Sequence, residues 1–283
     1  MRARRTGPEL GLNMDPKWLQ GGSLEAFLMP LRDVGLRVLE FTLNLAAPDW
    51  SESDELVRAC LELGFRLSFH APYKGPYNPA GFSGPRGQAL EGLFAPAVSY
   101  AAAIARRQGL TPLVVHGAKG EGARESLACD TEAFLAWIEG QEPNLCPALE
   151  LRVREHDMVK IGDSKADLMA FISRWRTPRG GICWDLGHDA RNGSEPVPPG
   201  FTERVGHVHA HDLSPDGEDH YPLLFENVSY RAHLQRLRQV GYNRAIILEL
   251  NGHVVSRLAG GNRSASERIL RDSLQKLAEP FHG

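Results

Sequence analysis

Short runs rich in Val, Ile, Leu and Phe recur along the chain, separated by longer stretches in which apolar residues return every three or four positions. The first pattern predicts buried β-strands and the second amphipathic helices; their alternation predicts repeated βα units and a parallel sheet. Eight strands are expected, over 9–14, 37–42, 66–70, 112–116, 147–151, 181–186, 206–212 and 245–250. Helical spacing lies between them over 23–34, 53–63, 88–107, 131–139, 164–175, 230–240 and 264–278.

Local punctuation fits this division. Ser264 with Glu267 three residues on reads as a capping box, and Ser53 stands before an acidic first turn. Gly64, Gly109 and Gly241 each follow a helical stretch where a glycine cap belongs. The densest Pro/Gly segments, 75–87 and 192–200, fall directly after the third and sixth strands, and no linker separates domains. Spreading 283 residues over eight units gives about 35 each, the scale of a (β/α)8 barrel. The expected fold is therefore α/β, a single-domain (β/α)8 TIM barrel over 1–283. An open doubly wound sheet shows the same alternation, but its G-x-G-x-x-G turn after the first strand is missing.

Composition narrows the function classes. Hydrophobic residues at 42% and charged residues at 24% exclude wholesale disorder and fibrous folds. A net charge of −3 gives no sign of a protein that coats nucleic acid. No run approaches the roughly 18 apolar residues of a membrane span. Residues 1–6 are basic, but Pro8 and Glu9 follow where a secretory signal would need an apolar core, so a cytoplasmic location is expected. Cys60, Cys129, Cys146 and Cys183 are far apart and lack a C-x-x-C pair, which predicts reduced, mostly packed thiols.

The candidate chemistry lies at the strand ends, which converge on one mouth in a barrel. Of eleven histidines, most lie beside the apolar runs. The third strand ends at His70 with Tyr73 close behind, and the fourth at His116. The fifth carries Glu150, and the sixth Asp185, followed by His188. The seventh carries His207, His209 and His211, followed by Glu218 and His220, and the eighth carries Glu249. Carboxylates embedded in aliphatic strands cost several kcal/mol unless compensated. Among imidazoles the economical compensation is a divalent metal, and His with carboxylate suits zinc, manganese or iron. Positions 207, 209 and 211 share one face, so at most one or two of them serve as ligands. Arg152, two residues after Glu150, either pairs with a carboxylate or holds a substrate anion. The Gly260-Gly261-Asn262-Arg263 turn before the last helix is either a phosphate-binding helix start or an ordinary solvated turn.

The ordered set resembles the xylose isomerase-like barrel superfamily, which holds sugar isomerases and epimerases together with the endonuclease IV (AP endonuclease family 2) group. The resemblance rests on His-Ala-Pro-Tyr at 70–73, Glu150, Asp-x-x-His at 185–188, His-x-x-Asp at 209–212, the acidic-x-His at 218–220, and Glu249. For one-metal sugar isomerases it implies Glu150, Asp185, His209 and Glu249 as ligands, with both glutamates able to move the substrate proton and His188 touching the sugar. For the three-zinc endonuclease IV group it implies further ligands at His70, His116, His188, Glu218 and His220. Tyr73 and His211 complete the expected substrate surface, with Arg152.

Three departures weigh against DNA. The first-strand His of endonuclease IV is replaced within Leu10-Gly11-Leu12-Asn13, Leu45-Ala46-Ala47 lacks a basic residue, and 222–227 read Pro-Leu-Leu-Phe-Glu-Asn instead of a glycine-rich segment. A DNA clamp needs basic residues on phosphates and a wedge in the base stack. The expected function is thus a divalent-metal-dependent isomerase or epimerase, with one to three zinc or manganese ions, acting on a small sugar or sugar phosphate through an enediolate. The alternative is a multi-zinc phosphodiester hydrolase, for which nucleic acid is the partner. A barrel that binds its ligand without turnover is a third reading.

Overall fold

Every predicted aliphatic run forms a strand within two residues of its expected limits in the computed structural model, which describes residues 7–19, 22–175 and 179–281. The basic residues 1–6 lie outside the described residues. The strands are β1 (Glu9–Asn13), β2 (Leu36–Thr42), β3 (Arg66–His70), β4 (Thr111–Val115), β5 (Leu145–Glu150), β6 (Gly181–Asp185), β7 (Val205–Ala210) and β8 (Ala245–Leu248). Their order is β1-β8-β7-β6-β5-β4-β3-β2, closed into a barrel, so no edge strand is left for unwanted pairing. This is the expected (β/α)8 barrel.

Contacts group the chain into two compact units, 1–41 with 48–67 and 208–283, and 42–47 with 68–207. In the first, β1 pairs in parallel with both β8 and β2, and the register sets Asn13 beside Glu40 and Ile247 beside His209. Val38, Ala245 and Ile247 form its buried strand cluster. In the second, β4 pairs with β3 and β5, β5 pairs with β6, and Val114, Ala148 and Cys183 pack together. A two-stranded antiparallel ribbon, Lys119–Gly120 with Val159–Lys160, is added there.

Helices bury the apolar faces that their spacing predicts. Over Gly87–Gln108, Leu90, Phe94, Ala97, Val98, Ala101 and Ala105 are buried, and Phe94 packs on Phe134 of the Arg124–Gln141 helix with ring centroids 4.6 Å apart. That second helix begins seven residues before its predicted start at 131. Two predicted caps also shift. The last helix (Arg263–Ala278) is capped by Asn262, whose side chain accepts from the Ala265 amide, and Glu267 instead pairs with Arg263. The Trp50–Glu62 helix starts three residues before Ser53, whose hydroxyl donates to the Asp49 carbonyl. The glycine caps stand as predicted: Gly64, Gly109 and Gly241 all have positive φ, which costs glycine nothing. All four cysteines are free, with Cys60 and Cys183 buried. Among the described residues no helix is long and apolar enough to cross a membrane.

Candidate metal centre

Within residues 68–207 the strand ends bring one carboxylate and three imidazoles together. Glu150, the last residue of β5, is 1% exposed. Its Oε2 lies 2.6 Å from His116 Nε2 and 3.3 Å from His70 Nε2, and its Oε1 lies 3.6 Å from His188 Nδ1. His70 Nδ1 faces the Ala71 carbonyl at 2.7 Å. A carbonyl only accepts, so Nδ1 carries the proton and Nε2 turns its lone pair toward the cluster. Burial pushes His116 down from 6.5 to about 3; Glu150 opposes the shift, while Arg152 and His70 add to it. His116 is therefore a neutral imidazole at pH 7, the form that ligates metal.

Asp185 ends β6 and also caps the short Leu186–Arg191 helix, accepting from the His188 amide at 2.7 Å. This one carboxylate thus fixes the helix that carries His188, whose Nδ1 lies 3.0 Å from the Leu151 carbonyl and 3.2 Å from Asp185 Oδ2. Tyr73 closes the group from the side, its ring 4.6 Å from that of His116 and 5.0 Å from that of His70. Arg152 is half-buried. Its amide donates to the Gly162 carbonyl, and its own carbonyl accepts from Asn192.

Within the other unit, His209 of β7 is fully buried between two carboxylates. Its Nε2 lies 2.8 Å from Glu40 Oε1, and its Nδ1 lies 3.0 Å from Glu249 Oε2. His220 Nδ1 stands 3.7 Å from the same Glu249 oxygen. His211, also buried, uses Nδ1 to accept from the His220 amide at 2.9 Å, and the two rings lie tilted with centroids 4.4 Å apart. Glu218 does not join them. Its carboxylate is 66% exposed, accepts from the Tyr221 hydroxyl at 2.7 Å, and lies 3.8 Å from Arg257.

Sequence reasoning missed Glu40. It is 2% exposed in β2, a glutamate set in Val38-Leu39-Glu40-Phe41, the same signal that drew attention to Glu150 and Glu249. Asp212, the acidic end of the His-x-x-Asp run, has a structural task. Its two oxygens accept from the amides of Phe225, Glu226, Asn227 and Val228 at 2.8–3.2 Å. The first strand offers no ligand: Gly11 leaves no room, since a Cβ there would sit 2.2 Å from Ile247 Cδ1. Asn13 spends its side chain on both the amide and the carbonyl of Leu250. The turn at 260–263 is closed internally by the Asn262 cap and the Arg263–Glu267 pair.

A family profile described as Xylose isomerase-like TIM barrel matches residues 30–279. The chain belongs to that family. Solved structures similar to this xylose isomerase-like barrel share its fold at low identity. A xylose isomerase domain protein from Alicyclobacillus acidocaldarius is 19% identical, with 98% of this chain and 99% of that one covered and a TM-score of 0.64. A D-psicose 3-epimerase from Clostridium cellulolyticum H10, solved with D-tagatose, is 11% identical, with 97% and 100% covered and a TM-score of 0.66. A D-allulose 3-epimerase from Methylomonas sp., solved with D-allulose, is 15% identical, with 97% and 98% covered and a TM-score of 0.66. No match was found among curated proteins.

Proposed function

We propose that this xylose isomerase-like barrel is a divalent-metal-dependent isomerase or epimerase of a small sugar or sugar phosphate. One observation carries the reading: each unit sets buried imidazole against carboxylate at its strand ends, Glu150 beside His116, His70 and His188 in one and His209 between Glu40 and Glu249 in the other, and Glu150, Asp185, His209 and Glu249 are the proposed ligands. Three carboxylates and one imidazole, at the ends of strands consecutive in the barrel order, form a donor set that suits zinc or manganese. Carboxylates as buried as those of Glu150 and Asp185 cost several kcal/mol unless a positive charge compensates them. Of the two histidines left open by the sequence we take His209, which lies against Glu249, whereas His211 Nδ1 accepts from the His220 amide.

A bound ion supplies Lewis-acid polarisation of the substrate carbonyl and its neighbouring hydroxyl. Glu150 or Glu249 removes the proton from the carbon between them, giving an enediolate, and the opposite glutamate or His188 returns it. Tyr73 would wall the sugar, and Arg152 would hold an anionic substituent. The named sugar 3-epimerases among the structural neighbours fit such a substrate. The test is incubation of metal-loaded protein with free and phosphorylated ketoses in D2O. Deuterium entering one carbon of one substrate supports the reading, and no exchange across the panel contradicts it.

A second reading has its own support. His70, His116 and Glu150 also offer ligand atoms within 4.8 Å of one another, a place for a further zinc ion as in a phosphodiester hydrolase. Cleavage of abasic-site DNA, lost in a His116→Ala variant, would favour it over isomerisation.

A further inference from the structure

The loops that follow β4 and β5 are rich in cations, and most of them are already paired. Arg124 meets Asp163 and Asp167, and Arg154 meets Glu195. Lys160, 2% exposed, donates to the Val153 carbonyl at 2.8 Å and to the Glu155 carboxylate. Arg152 differs from these. Its main chain is held on both sides, by the Gly162 carbonyl and the Asn192 side chain, but among the described residues its guanidinium makes no ion pair and no hydrogen bond. Lys119 is alike: its main chain is tied to Asn78 at 2.9 and 3.1 Å, and its ammonium has no carboxylate partner among the described residues.

Both free cations are half-buried and share one neighbourhood, since the charges of Arg152 and Lys119 act together on Lys160 and Glu155. That of Arg152 also reaches His116, which lies 2.6 Å from Glu150. A guanidinium cannot shed its proton, so partial burial beside other cations is unfavourable until an anion arrives. Its planar fork matches phosphate or carboxylate with two parallel bonds. We infer that the substrate carries an oxyanion, a phosphate ester or a carboxylate, and that Arg152, with Lys119 near it, is the specificity-determining residue that selects for it. The inference rests on the isomerase or epimerase proposed above and narrows its substrates to charged ones. Two free cations suit one small anion, whereas a nucleic-acid strand needs basic groups along its whole path.

The test measures kcat and KM for solvent-deuterium exchange by metal-loaded protein, with a panel of neutral ketoses, their monophosphates and the matching ketonic sugar acids. Wild type is expected to favour one anionic class over its neutral counterparts by at least about tenfold in kcat/KM, and the class favoured separates phosphate from carboxylate. Arg152→Ala is expected to lower that ratio by roughly 10–100-fold, through KM rather than kcat. Arg152→Lys, which keeps the charge without the fork, should fall between the two. A purely structural role would slow charged and neutral substrates alike and leave the ratio where it was. If Arg152→Ala does not fold, Arg152→Gln is measured in its place with the same fall expected. Neutral ketoses handled as well as anionic ones, or a ratio within about twofold of wild type in the variant, overturns the inference and leaves the isomerase reading standing. Cleavage of abasic-site DNA that depends on Arg152, in place of exchange, overturns it as well. No exchange with any member of the panel brings down the isomerase reading and this inference together.

Discussion

Lys165 and Asp189 form an ion pair in which each side chain is about 1% exposed, and the second Asp189 oxygen accepts the Trp184 indole N–H at 2.9 Å. Asp189 lies one residue after His188 on the helix that Asp185 caps, so this pair anchors the segment that carries a candidate proton donor. Removing one partner of a buried pair leaves the other charge uncompensated, at a cost of about 3–5 kcal/mol. Asp189→Asn is expected to lower unfolding free energy by that order in urea titrations. A loss below about 1 kcal/mol would show that the pair is dispensable.

Asp212 gathers four consecutive main-chain amides of the segment after β7. Asp212→Ala is expected to raise hydrogen exchange at 225–228 well above that in the barrel strands, because each orphaned amide costs about 1–3 kcal/mol when it cannot reach water. Exchange at those four amides indistinguishable from wild type would contradict this anchoring.

Gly162 has a φ of 92°, and a Cβ there would lie 2.8 Å from the Glu150 carbonyl oxygen. That oxygen is main chain and cannot swing aside. Gly162→Ala therefore combines backbone strain of about 1–3 kcal/mol with displacement of the strand end that carries Glu150. Thermal unfolding should show a lower Tm, and metal affinity should fall with it. A variant as stable as wild type, with unaltered metal uptake, would refute the contact.

Burial raises the Cys60 thiol from 9.0 to about 12. Its neutral form is favoured in the fold, so its contribution to stability is complete below pH 9 and is lost as the pH rises toward 12, where the unfolded chain alone ionises first. At pH 8 a thiol reagent should label exposed Cys129 first and reach Cys60 and Cys183 only on unfolding. Rapid labelling of all four thiols in the native protein would contradict the packing.

The strands were legible because each is a short, mostly apolar run between turn signals, the pattern that burial on both sides of a parallel sheet favours. The Arg124–Gln141 helix was read short because it opens on polar Arg124-Glu125-Ser126, and its buried stripe there includes the polar Asp130 and Thr131 beside Leu127 and Ala128. Glu150, Asp185, His209 and Glu249 could be named as candidates because strand ends have a fixed destination in a barrel. The exposed position of Glu218 could not be foreseen, since it lies in a loop whose path is set by the Asp212–Tyr221 bridge, and no periodicity reports that. Glu40 went unread for another reason. It lies inside a strand rather than at its end, although its aliphatic surroundings carried the same signal.

The most direct measurement is the metal content of purified, dialysed protein beside Glu150→Gln and Glu249→Gln variants. Wild type is expected to retain at least one zinc or manganese ion per chain, and both variants to lose it while keeping the wild-type circular dichroism spectrum. Wild type that binds no divalent ion, or variants that bind it as tightly as wild type, would contradict a metal held by these strand-end carboxylates.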